Sequence, residues 1–279
     1  MSIKDSDIPF VSVIIPTYNS ARTLRNCLKS IKYQSYPQTR IEIIVVDKFS
    51  SDSTPKIVKE FGAKLISAKV GRSAARNIGA KVARGKYILF LDSDMILSQK
   101  VIEECVGKMQ TDEKLVGLYI PERIIGKGFW AKVRNFERSF YDGTPIDAVR
   151  FLRRDAFLKV GGFDEKLYAG EDWDLDRRLR QIGKVGIINS PLYHDESNFS
   201  IKEYLRKKQY YSKGCIEYVK KWGKKDPIIR KQLGIKYRYF DVFLENNKWR
   251  NLIKNPHLSV GMYFLKFIIG IEYLLVSLF

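Results

Sequence analysis

YILFLDSDMIL, residues Tyr87–Leu97, is an apolar run that ends in two carboxylates one residue apart. The first five residues, Tyr87 to Leu91, are aromatic and branched, as in a strand covered on both faces. Asp92 and Asp94 then fall where such a strand leaves its sheet, on the same side of an extended chain. Carboxylates that close repel unless something positive stands between them, and a divalent cation with its preference for oxygen is a common answer. The same residues also suit a turn with a helix cap. The rest of the chain has to decide between the two.

Upstream of this run, strands and helices alternate. Phe10–Asn19 reads as a buried strand stopped by Pro16, and Leu24, Cys27, Leu28 and Ile31 follow at helical spacing. Ile41–Asp47 is a second buried strand, followed by a helix with Pro55 near its first turn. Ala63–Ala68 is a shorter strand, and the helix from Ser73 ends at Gly85, just before Tyr87. Such alternation predicts a parallel sheet with helices on both faces. Ligands of these sheets bind at the carboxyl ends of the strands, where Asn19, Asp47 and Asp92 fall. Downstream the expectations are a helix to about Gln110, a strand near Leu115–Pro121, a strand from Ala148 followed by a short helix and a turn at Gly161-Gly162, a helix opened by Glu171 and one more strand over Lys184–His194. Residues 126–145, rich in Gly, Arg and aromatics, read as a mobile connection. Beyond His194 the pattern is helical, so the predicted division is a catalytic domain over 1–200 and a helical region over 201–279.

Composition bounds the partners. The chain has 279 residues, 45% of them hydrophobic, which suffices for a substantial core. Three widely spaced cysteines show no metal spacing and cannot all pair, which favours a reducing compartment. No basic-then-apolar start marks a signal peptide. Fifty Lys and Arg against 31 Asp and Glu give a net charge of +19, of which +11 lies in residues 201–279. Such a balance favours phosphates, nucleic acid or an anionic membrane. The last nineteen residues, 261–279, are apolar except for Lys266 and Glu272. As a helix they reach about 28 Å, marginal against a hydrocarbon core of about 30 Å. The expectation is a peripheral or tail-anchored protein on the cytoplasmic face of the membrane, with Arg250, Lys254 and Lys266 meeting headgroups. A helix packed on the rest of the protein is the competing reading.

Four motifs in order carry a resemblance: VSVIIPTYNS, IEIIVVD, GRSAARNIGAKVARGKYILFLDSD and GGFDEKLYAGEDWDLDRRLRQIG. Together they resemble the family 2 glycosyltransferases of GT-A fold, over about residues 10–200. The resemblance implies a Rossmann-like, mixed but mostly parallel sheet and inverting transfer from a nucleotide-sugar donor, with Mn²⁺ or Mg²⁺. It puts Asp94 on the metal and Asp92 on the ribose, the metal or its bound water, with Ser93 between them in the donor site. His194 matches a position of a further metal or phosphate contact, although a histidine satisfied at a strand end is equally natural. A metal held there would stabilise the leaving diphosphate. Glu171 and Asp172 match the family's catalytic pair, the second usually serving as the base that takes the acceptor proton. Their helix-start position also suits the dipole, and Asp174 with Arg178 and Asp176 with Arg180 have ion-pair spacing.

Pro16, Thr17, Tyr18 and Asp47 resemble the nucleotide-binding loops. Relatives usually carry a second acid after Asp47, whereas this chain has Lys48, which can donate but not accept a hydrogen bond. That leaves the nucleobase open, with GDP- and UDP-linked sugars both in view. Arg72 and Arg76 match positions near the donor, where an arginine could clamp diphosphate, or they line a solvated helix face. The function expected is transfer of a hexosyl residue, of mannose or glucose type, to a membrane-lipid-linked acceptor. A synthase acting on polyprenyl phosphate itself is the nearest alternative. A non-catalytic nucleotide-sugar binder would fit Lys48 but not the retained Asp92, Asp94 and Asp172. A nucleic-acid binder would fit the basic, tyrosine-rich YLRKKQYYSKG, yet no recognised nucleic-acid module is present.

Overall fold

The structure is a computed structural model and describes residues 8–197 and 199–277, with side chains to residue 271. In chain order it contains β1 (Val11–Thr17), α1 (Ala21–Lys32), β2 (Ile41–Asp47), α2 (Thr54–Glu60), β3 (Lys64–Ser67), α3 (Arg72–Val82), β4 (Tyr87–Phe90) and β5 (Met95–Leu97). It continues with α4 (Val101–Thr111), β6 (Leu115–Tyr119), β7 (Glu122–Ile125), α5 (Gly128–Arg138), β8 (Val149–Arg153), α6 (Arg154–Lys159), α7 (Glu171–Arg180), β9 (Lys184–Ile187) and β10 (Leu192–Asp195). Helices complete it: α8 (Ile201–Trp222), α9 (Pro227–Leu233), α10 (Val242–Leu244), α11 (Trp249–Lys254) and α12 (Pro256–Ser277).

The chain divides into two compact units, and the division is not a single cut at residue 200. The first unit holds residues 1–121, 148–165 and 171–194, and the second holds 122–147, 166–170 and 195–279.

In the first unit a seven-stranded sheet runs in the order β3-β2-β1-β4-β8-β6-β9. The pairs β1–β2, β2–β3, β1–β4 and β6–β9 are parallel, whereas β8 runs antiparallel to both of its neighbours. The expected mixed, mostly parallel sheet is therefore present. Its central strands are covered on both faces because a separate core lies on each side. One core gathers Val13, Ile15, Leu24, Leu28, Val45 and Leu89, and the other Ile14, Ile44, Val46, Ile88 and Phe90. Alternate residues of one strand thus go to opposite cores. A side chain on Gly79 would lie 2.4 Å from Ile14 Cγ2, so α3 rests closer to β1 than any larger residue would permit. Pro16 does not stop β1, contrary to expectation. The β1–β4 register ends at Ile14–Phe90, and beyond it proline's missing N–H breaks no ladder on that side.

The second unit corrects the reading of residues 126–145 as a mobile connection, since α5 occupies the middle of that stretch. Val133 of α5 joins Phe140, Tyr141, Tyr237, Val242, Phe243, Met262 and Leu265 in one core. Five of those seven partners arrive a hundred residues later, so local sequence shows little of what the helix packs on. Lys266 corrects a second expectation. It is buried, with Nζ 2.9 Å from Glu137 Oε1, and it donates to Tyr141 Oη at 3.0 Å and to the Arg238 carbonyl at 3.1 Å. It meets Glu137 rather than headgroups, and α12 packs through Met262, Leu265 and Ile269. Among the described residues no helix is long and apolar enough to cross a membrane. The side chain of Glu272 and the end of the 261–279 tail lie outside the described residues.

Candidate active site

Loops at the carboxyl ends of β1, β2 and β4 are stitched together by polar side chains. Asp47, buried at the end of β2, accepts hydrogen bonds from Thr17 Oγ1 at 2.7 Å, Ser50 Oγ at 2.6 Å and the Ser50 amide at 2.8 Å. Asn19, at φ +48°, accepts from the Ser51 amide at 2.9 Å. The amides of Ser20 and Ala21 donate to Thr54 Oγ1 and Asp52 Oδ2 at 2.8 and 3.0 Å. The loops after β1 and β2 thus form one frame. Tyr18 is exposed on its outer side, and Lys48 Nζ stands 5.7 Å from the Tyr18 ring centroid. Ser93 donates to Ser20 Oγ at 3.0 Å, which ties the Asp-Ser-Asp segment to the same frame.

Arg76 stands at the centre of this unit's charged groups. It comes from α3, is 1% exposed, and donates to Asp92 Oδ1 at 2.8 Å and to Asp172 Oδ1 at 3.0 Å. Glu171 Oε1 is 3.7 Å from its guanidinium and pairs with Arg72 as well. Below it the ring of Phe163 lies 5.1 Å from the guanidinium carbon. The Gly161-Gly162 turn, with φ of +82° and +70°, delivers that ring. Asn77 fixes it by exchanging two 2.9 Å hydrogen bonds with the Phe163 backbone. Asp172 reaches the cluster because α7 begins at Glu171; its acids crowd the first turn and its arginines the last, in accord with the helix dipole. The predicted pairs Asp174–Arg178 and Asp176–Arg180 close at 2.7 and 3.0 Å and hold that helix.

Burial pushes the Asp92 carboxyl upward, but the guanidiniums of Arg76, Arg150 and Arg72 outweigh it and hold the group well below the usual carboxylate range. Burial raises Glu171, and the neighbouring charge of Asp172 adds to the rise against the pull of Arg72 and Arg76. The Glu171 side chain is only 3% exposed, whereas that of Asp172 is 29% exposed. Of the acidic pair, Asp172 is the one a reactant can reach.

On the other side of the Asp-Ser-Asp segment, β5 pairs antiparallel with β10 and sets His194 opposite Met95. His194 Nε2 is consequently 3.1 Å from Asp94 Oδ2. Among the described residues no three His, Cys, Asp or Glu side chains gather as a ligand set. Asp94 and His194 offer one carboxylate and one imidazole. A hard divalent cation that takes its other ligands from phosphate and water suits such a small donor set, so these residues fit the expected metal.

The family description "Glycosyl transferase family 2" matches residues 12–163, just over half of the chain. The chain belongs to that family. It is 31% identical over 194 residues to glycosyltransferase AglE of Haloferax volcanii, covering 64% of each protein. It is 28% identical over 232 residues to a chondroitin synthase of Escherichia coli, covering 77% of this chain but 33% of that one. The chain thus spans between about a third and about two thirds of the length of these curated relatives. Among solved structures it resembles the mannosyltransferase PcManGT of Pyrobaculum calidifontis in complex with GDP-Man and Mn²⁺ (TM-score 0.62, 19% identity, 96% of this chain and 85% of that one). It also resembles Staphylococcus aureus TarS 1–349 in complex with UDP-GlcNAc (TM-score 0.56, 20% identity, 83% and 73%). At such identities the likeness is one of fold, here of GT-A type.

Within this family 2 chain the structure redistributes several expected roles. Arg76 is too buried to clamp a diphosphate and binds carboxylates instead; a solvated helix face is excluded for it as well. Asp92 turns to Arg76, with Arg150 3.8 Å from its other oxygen. Asp47 and Thr17 organise a loop, and Pro16 lies within β1. Glu171 faces arginines rather than an open site. Arg150 and Phe163 were not anticipated. Nothing local marks them, because one lies mid-strand and the other after a turn, and only the fold brings both to α3.

Proposed function

We propose that the protein is a metal-assisted inverting glycosyltransferase that moves a hexosyl residue from a nucleoside-diphosphate sugar to a lipid-linked acceptor. The observation that carries this reading is the single guanidinium of Arg76 bridging Asp92 and Asp172. It holds the strand-end acid of the donor loops and the exposed acid of α7 in one cluster. In the proposed reaction Asp172 takes the proton of the acceptor hydroxyl as its oxygen attacks the anomeric carbon. The diphosphate leaves from the opposite face with the electrons of the broken bond. Asp94 and His194 would hold Mn²⁺ or Mg²⁺, which when bound neutralises charge on the diphosphate. Exposed Tyr18, with Lys48 5.7 Å from its ring centroid, would receive the nucleobase or ribose. The neighbours named above bind GDP-Man and UDP-GlcNAc, which supports both guanine and uracil as candidates.

The test is a thermal-shift panel of UDP-, GDP- and dTDP-sugars with and without Mn²⁺, followed by transfer to a polyprenyl-linked lipid extract. A metal-dependent rise in melting temperature with one donor class, and labelled product that Asp172→Asn abolishes, is expected. No stabilisation by any donor, or undiminished product from the variant, overturns the reading.

A further inference from the structure

The second unit carries an apolar surface that its own core leaves uncovered. On α12, Val260, Phe264, Phe267 and Ile271 recur at spacings of four, three and four residues, which puts them on one side of the helix. They are between 41 and 71% exposed, while Met262, Leu265, Lys266 and Ile269 on the opposite side are buried. The surface continues onto α5. Phe264 stacks 5.8 Å from Trp130, and Trp130 meets exposed Phe129 at 5.1 Å. Gly261 makes that junction possible, because an added Cβ would stand 2.8 Å from Val133 and 3.0 Å from Phe129. An apolar surface spread over two helices, with a tryptophan among its residues, is more than the scattered exposure of an ordinary protein face.

Its charge selects the occupant. Arg123–Arg134, which contains the α5 portion, has four basic residues and no acid; Lys248–Ile271, which contains the α12 stripe, also has no Asp or Glu. Exposed Lys127 and Lys132 bracket Phe129 and Trp130, and exposed Arg250 and Lys254 precede the stripe. An apolar strip with a cationic border is the pattern that lies in the plane of an anionic bilayer, rings among the acyl chains and ammonium groups at the phosphates. A second copy of this chain would oppose one basic border to another, at +19 per molecule. Among the described residues no helix is long and apolar enough to cross a bilayer.

We propose that the outer stripe of α12, with Phe129 and Trp130 of α5, is a docking surface for anionic lipid bilayers. This differs from anchorage by the whole tail, because half of α12 belongs to the core. It stands independently of the donor chemistry and can be tested apart from it.

The experiment is co-sedimentation of the full chain with phosphatidylcholine vesicles and with vesicles of phosphatidylcholine and phosphatidylglycerol. Binding to the anionic vesicles that falls with added salt, and weak binding to the neutral ones, is expected. Phe264→Ser with Phe267→Ser should lower the anionic partition at least about tenfold, and Arg250→Glu with Lys254→Glu should lower it independently. Unchanged melting temperatures would show that both variants fold. Equal binding to neutral and anionic vesicles, or full binding by the folded phenylalanine variant, overturns the proposal. So does a dimer in sedimentation equilibrium that the phenylalanine variant disperses, if vesicle binding is absent.

Discussion

His194 Nε2 stands 3.1 Å from Asp94 Oδ2, although a hundred residues separate them in the chain. The antiparallel pairing of β5 with β10 makes the contact, and it offers a cation two donors of different type. Asp94→Ala should remove the Mn²⁺-dependent part of nucleoside diphosphate binding without lowering the melting temperature appreciably, since this carboxylate is partly exposed. His194→Ala should weaken the same component less. Calorimetry with and without Mn²⁺ reads both, and metal-dependent affinity equal to that of the unaltered protein would refute the assignment.

The two acids that open α7 should behave differently. Asp172→Asn should keep donor binding and lose about 10²–10⁴ in turnover. Glu171→Gln should chiefly cost stability, because it removes a buried counter-charge from Arg72 and Arg76. Turnover and melting temperature measured on both variants separate the roles. A stable Glu171→Gln protein with no turnover would move the base to Glu171.

Arg76→Lys keeps one positive charge but cannot bridge Asp92 and Asp172 in the same way. Turnover should drop by about a hundredfold or more. Nucleotide affinity should change much less, since Arg76 is buried beneath the carboxylates. A loss confined to nucleotide affinity would show that this arginine contacts the donor.

Removing Lys266 should destabilise the protein by about 3 kcal/mol, because Glu137 keeps Arg134 but loses its nearest ammonium. For the same reason a chain cut at residue 258 should fail to fold its second unit. Denaturant melts of Lys266→Ala and of the truncated chain test this. A truncated protein with native cooperativity would contradict it.

Acid should weaken the second unit through Glu137. Burial raises this carboxyl, but Lys266, Arg134 and Lys208 prevail and hold it well below its ordinary value. The unfolded chain therefore takes up the proton first as pH falls. The stabilisation is fully present above the ordinary glutamate range and is lost below it, as pH descends toward the depressed folded value. Melting temperatures from pH 6 to pH 3 should fall less steeply for Glu137→Gln than for the unaltered chain. Parallel profiles would exclude Glu137 as a source of the slope.

The sheet was legible because its central strands are buried on both faces, so Val13–Ile15, Ile43–Val46 and Tyr87–Leu91 stand out as unbroken apolar runs. Their order also revealed the strand-end acids. The partners of those acids were not legible. Arg76 looks like any arginine on a helix until Gly79 draws α3 onto β1, and Arg150 looks like a strand cation until β8 inserts beside β4. The same limit hid α5, because most of its core partners lie a hundred residues or more further along the chain. Lys266 misled because a charge in an apolar tail reads as a surface group unless its buried counter-ion is known.

The second unit is assembled from residues 122–147, 166–170 and 195–279, and this restricts how the protein can be recombined. Exchanging the chain beyond residue 200 with that of a relative would separate Lys266 from Glu137 and Gln232 from the Pro145 carbonyl it binds at 2.9 Å. It would also strand Gly214 away from Tyr168, against which it lies too closely for any side chain. A working chimera has to carry all three stretches together.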